Sequence, residues 1–285
     1  MRHAIGGFAA TQIQALSATN LSALDATQAA ALTTTEIAAL TTTQVAALTA
    51  TDIGELSAAQ VGAFTAAQIA RLGTDAVDAL NTTQVAALST TQVRAFTATQ
   101  ITALDANDVH ELTTTQVGAL TSTQVRALTG TNVAALTTTQ VGAFAASQLQ
   151  GFSSTTLAAL ADTQFAALSA TQIGAFAASQ ISGLSATNLA ELSVANLAAL
   201  TTGQVRALSA TNLSALADTQ VAAFGATQVQ ALTATTLSAL ADTQLGALTS
   251  TQIAALTASQ VHALNATNVA ARTETPAAAF TATHV

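Results

Sequence analysis

The chain has 285 residues, of which only 7% are charged; Lys is absent and the net charge is −8. Phosphate backbones are held by clustered Lys and Arg, and the arginines inside the body of the chain (Arg71, Arg94, Arg126, Arg206 and Arg272) are scattered, which speaks against a nucleic-acid partner. Zero cysteines exclude disulfides, thiolate metal sites and cysteine nucleophiles.

Taken from its start, the chain opens with a short lead-in, residues 1–4. The segment Met1–Phe8 lacks the apolar core of a secretory signal peptide. From Ile5 to Val285 the sequence then repeats every eight residues without insertion or deletion, about 35 copies of Val-x-Ala-Leu-Thr-x-Thr-Gln. A short fixed period implies a stacked, open-ended architecture. With no linker and no shift of composition, residues 1–285 read as one octad array. Apolar runs are broken by Thr, Ser or Gln in every octad, so no membrane span of about 18 residues exists.

We number the octad so that position 1 is the Val/Ile/Leu site (Ile13, Val45) and position 4 the Leu/Phe site (Leu16, Leu48). Position 1 is large and apolar except at Ala29 and Ala277, and position 4 is Leu or Phe except at Arg272. All nine Phe fall on these two positions, which marks them as the buried pair.

On a continuous α-helix, eight residues rotate by about 800°, so the apolar pair would drift by roughly 80° per copy. No coiled-coil seam follows such a drift. On a strand, positions 1 and 4 would face opposite ways, and the Ala, Leu and Gln of each copy are poor strand formers. A β-solenoid with a turn in every octad stays open as an alternative. The preferred reading is a short helix restarted in each copy. Position 5 is mostly Thr, Ser, Asp, Asn or Gly, the helix-capping residues, and position 8 is mostly Gln. Thr41-Thr42-Thr43-Gln44 therefore reads as a capping box. Position 7 is Thr or Ser about as often as position 5. Its hydroxyl has two possible roles, bonding an adjacent coil or capping the helix itself, so the helix register stays open by two residues.

Two apolar side chains are too few to order eight residues alone. Stability must belong to the stack. The predicted fold is an all-α solenoid, a superhelical spiral with positions 1 and 4 facing its axis and three or four octads in each coil. Glu55, Arg71, Glu111 and Glu191 at position 3 place that site near the surface.

Local departures follow in chain order. Asp75 and Asp78 beside Gly73 read as a variant octad. Asp105-Ala106-Asn107-Asp108-Val109-His110-Glu111 is the densest polar stretch. It lacks the turn-forming Gly and convergent oxygens of a calcium loop, so Asp105 reads as a cap and Asp108 as a substitute for Gln. Where position 5 is Ala (Ala161, Ala217, Ala241), the following Asp162, Asp218 and Asp242 are expected to cap instead. The octads at 269–285, carrying Arg272, Pro276 and Ala277, are degenerate and read as a natural terminus.

The octad Leu-Thr-x-x-Gln-Val-x-Ala resembles the opening helix of TAL effector repeats, which implies a capped helix start; the base-reading loop and basic residues of those repeats are absent. The whole array resembles the Leu-Thr-Thr-Thr-Gln-Val-Ala-Ala tracts of large bacterial surface or secreted adhesin-like proteins. That resemblance implies an extracellular or cell-surface structural role, reached by another secretion signal or as part of a longer chain.

No nucleophile–base–acid set clusters in the sequence and no glycine loop suits a phosphate. The histidines His3, His110, His262 and His284 are far apart. The expectation is therefore a non-enzymatic protein without catalytic residues, cofactor or metal. It would act as a spacer, stalk or filament subunit whose copies stack end to end. The competing expectation is a binding module, adhesive or ice-directed, using the regular Thr-x-Thr of positions 5 and 7.

Overall fold

The computed structural model describes residues 7–264 of the chain. Among them run 32 helices of four to six residues and no β-strand, so the fold is a helical solenoid and the β-solenoid alternative falls. The lead-in at 1–4 and the degenerate octads at 269–285 lie outside the described residues. The chain packs as two units, Met1–Phe144 and Ala145–Val285. Each is built from the same octad.

The octad around Thr113–Leu120 shows how one copy folds. Thr113 is extended (φ −68°, ψ 156°), and its hydroxyl accepts the N–H of Gln116 at 3.2 Å. The Gln116 Oε1 in turn accepts the N–H of Thr113 at 2.8 Å, which completes a capping box. The helix Thr114–Ala119 follows, and Leu120 leaves it extended again (φ −55°, ψ 137°). Thr121, extended as well, starts the next helix. The corner between helices is thus made from consecutive extended residues at positions 4 and 5. No described residue has a positive φ, so the corner needs no glycine.

The caps of the described helices fall on position 5, from Ala9 and Ser17 to Thr249 and Thr257, which closes the two-residue ambiguity of register. Position 7 is the second residue of each helix. Thr43, Thr115 and Thr139 there are exposed, and Thr83 there donates its hydroxyl to the cap Asn81 at 2.8 Å.

Positions 1 and 4 build the core, as Val45, Val117 and Leu213 (fully buried) and Phe64, Leu120 and Leu216 (2–3% exposed) show. Within each unit a helix packs on the one three further along. Ala58–Gly62 meets Thr82–Ala87 and Ala106–Glu111 meets Gly130–Ala135; in the second unit Thr202–Arg206 meets Ala226–Ala231. Side-chain bonds from position 8 reach the helix four places earlier, 28 residues back at position 4. A coil therefore takes between three and four octads: each helix packs on the third helix before it, and its position 8 side chain reaches on to the fourth.

Candidate functional site

The side chains that join one coil to the next are buried amides. Gln116 is 3% exposed, yet its amide atoms are fully bonded. Its Oε1 accepts the Thr113 N–H and hydroxyl, and its Nε2 donates to the carbonyls of Val85 at 2.7 Å and Leu88 at 2.9 Å. Those carbonyls belong to the C-terminal end of a short helix, where the last C=O groups lack partners within the helix. One side chain thus satisfies the start of its own helix and the end of another. Gln60 does the same to Ala29 and Leu32, and in the second unit Gln180 does it to Leu149 and Phe152.

Shorter residues at position 8 hold less. Asn132 and Asn212 reach only the position 4 carbonyls of Leu104 and Leu184, at 2.7 and 3.1 Å. Thr156 and Thr236 bond the hydroxyl of their own cap instead. Glu36 has no donor; its Oε1 accepts the Phe8 N–H at 3.0 Å and its Oε2 that of Thr33 at 2.7 Å. A second, outer row comes from position 2. Gln14, Arg94 and Gln150 donate to the position 3 carbonyls of Ala39, Ala119 and Ala175, 25 residues on, at 2.9–3.0 Å. Gly62 at position 2 lets the coils approach closely, since a Cβ there would stand 3.1 Å from the Ala87 carbonyl.

The sequence reading missed these rows. Gln was seen to reach its own cap, not the coil below. The recurrence of Gln, or of the shorter Asn, at most of the position 8 sites was the available signal.

At Asp108 the ladder is interrupted. Asp78, Asp105 and Asp108, read from sequence as two unrelated variants, come together with one carboxylate oxygen of each within 4.8 Å of the others. Asp75 takes another role, accepting the Thr74 hydroxyl at 3.4 Å. Asp105 is the expected cap: its Oδ1 accepts the N–H groups of Asn107 and Asp108 at 2.6 and 2.9 Å. Asp108 occupies the Gln position as expected and is 7% exposed, with Oδ2 accepting the Asp105 N–H at 2.7 Å. Its side chain lines an apolar cavity with Val77, Leu80, Val85, Val93 and Phe96. Burial raises its carboxyl from 3.8 to about 7, opposed by the Asp105 N–H and reinforced by the Asp105 charge and by the Asp78 side chain bonded to it. With oxygens of Asp105 and Asp108 already committed to backbone N–H groups, the geometry suits a proton shared between Asp78 and Asp108 better than a cation.

The neighbouring Glu111 accepts the Thr82 hydroxyl at 2.6 Å through Oε1, while its Oε2 is buried without a partner. His110 lies on the surface with Nδ1 3.4 Å from the Ala135 carbonyl, another joint of the outer row. His262 belongs to the second unit, and His3 and His284 lie outside the described residues. Ala161, Ala217 and Ala241 themselves occupy the cap position, and Asp162, Asp218 and Asp242, the expected substitute caps, follow it. Each Asp is the first helical residue, one place too late for the capping geometry, where its charge faces the positive end of the helix. The N–H of each of these alanines is held instead by the position 8 Gln.

Fold and joints together define a class of protein: a tandem solenoid of capped helical octads, locked coil to coil by buried amides. A family model described as the ALTTAQ repeat matches in tandem at residues 37–74, 53–90, 72–106 and 109–146. Ala39–Gln44 reads Ala-Leu-Thr-Thr-Thr-Gln, so that motif corresponds to positions 3 to 8 of the octad. None of the curated proteins matches the chain significantly.

Proposed function

We propose that the protein is a structural spacer or stalk, working outside a bacterial cell, whose copies also join end to end into filaments. The observation that carries this reading is the locality of the joints. The amide bonds span 28 to 31 residues and recur from coil to coil, so whole octads can be added or removed without redesigning a contact. Among the described residues the buried Gln amides are engaged in capping and in the ladder, which supports a structural role for them. A cysteine-free chain suits an oxidising exterior. Among the described residues no helix is long and apolar enough to cross a membrane.

The test is length. Variants with blocks of octads duplicated inside one unit should lengthen in small-angle scattering in proportion to the octads added, and micrographs of the concentrated protein should show uniform filaments. A maximum dimension that ignores added octads would refute the spacer; a strictly monomeric profile at high concentration would refute the filament. The exposed Thr at position 7 favours a second reading, binding to a regular surface such as ice. Thermal hysteresis would support it, and unaltered ice-crystal growth would remove it.

A further inference from the structure

The coil joint at Asp108 differs in kind from its neighbours. One octad before, Gln100 Nε2 donates to Ile69 and Leu72 at 2.9 and 2.8 Å; one octad after, Gln116 serves Val85 and Leu88. The equivalent carbonyls for position 108 are those of Val77 and Leu80, and a carboxylate brings no donor to them. What faces Asp108 across the joint is Asp78, on the helix Thr74–Asp78 four places earlier.

We propose that this joint is a proton-operated latch. Neutral Asp108 donates its O–H to Asp78 and holds the two coils together as the Gln amide does elsewhere; ionised Asp108 sets two carboxylates against each other beside an apolar cavity and loosens the joint. On ionisation the Asp108 O–H bond breaks and its proton passes to solvent water; no bond between heavy atoms changes.

The surroundings offer no substitute charge. On its own helix the titratable groups are His110, directed to the Ala135 carbonyl, and Glu111, bonded to Thr82, with Asp105 at the cap. The earlier helix brings Asp75 and Asp78. The packed helices Thr82–Ala87 and Gly130–Ala135 carry no titratable residue. No cationic group is among those acting on Asp108.

The sign follows from the direction of the shift. A carboxyl held neutral in the fold, with a value of about 7 against 3.8 when unfolded, gives stability that is complete below about 4 and is lost as pH rises towards 7, with a plateau above.

The test is amide hydrogen exchange by mass spectrometry on the full chain between pH 5 and pH 8, following peptides over 77–82 and 105–112, with D108Q as reference for the intrinsic pH dependence of exchange. Local opening in the wild type should rise by roughly tenfold or more relative to D108Q over this range. D108Q restores the residue used in neighbouring octads and should stay closed throughout; D108N, neutral but too short for one carbonyl, should also lose the pH dependence. Parallel profiles for wild type and D108Q, or a wild type tighter at pH 8, would overturn the latch.

Discussion

At the residue scale the Gln of position 8 bears most of the inter-coil order. Replacing Gln116 by Leu keeps its bulk but leaves the Thr113 N–H and the Leu88 carbonyl without their Gln partner, while the Val85 carbonyl keeps the Leu88 N–H. Unsatisfied buried groups cost about 1–3 kcal/mol each before relaxation, so Q116L should lower stability by roughly 2–4 kcal/mol in denaturant titrations. Ala29 points the other way. It stands at position 1, where neighbours carry Ile or Leu, and a small cavity beside it is lined by Leu21, Leu32, Ile37 and Leu40. Ala29→Val should fill part of that space and raise the melting temperature, with a gain of about 1 kcal/mol. A lower melting temperature would mean that the cavity cannot take two methyl groups. Gly183 is under the opposite constraint, since a Cβ there would stand 2.4 Å from the Ser154 Cβ.

At the element scale the helices are too short to persist alone, so their starts decide where they form. Thr113→Ala removes the acceptor of the Gln116 N–H and should cost about 1 kcal/mol. Ala161→Ser supplies that acceptor where it is missing and should return about 0.5–1 kcal/mol; equilibrium unfolding of the two variants measures both. This scale was the most legible in the sequence. Thr or Ser three residues before Gln marks a helix start by chemistry that is entirely local, and the spacing of Val45 and Leu48 gives the buried face. What stayed open was the role of Thr43. Two hydroxyls two residues apart are equivalent as letters; which one meets a free N–H depends on backbone angles.

At the scale of the whole molecule, the pairing of coils was not legible. A period of eight is the same for any number of octads in a coil, and the apolar positions do not say which earlier copy they meet. Only departures from the consensus carry that information. Asp78 and Asp108 stand 30 residues apart, the separation that also links Gln92 to the Gly62 carbonyl. Such pairs can be found only once the coil length is known. An uninterrupted phase does predict which deletions the stack accepts. Removing residues 117–124, one full octad, should leave the circular dichroism of a folded helical protein. Removing 117–120 places a polar position where the core needs Val or Leu and should abolish cooperative melting.

The winding has a geometric consequence of its own. Each helix packs on the third one before it, while its buried amide reaches the fourth. Every such joint ties one helix to two helices of the preceding coil, and a local opening at a single octad has to release both.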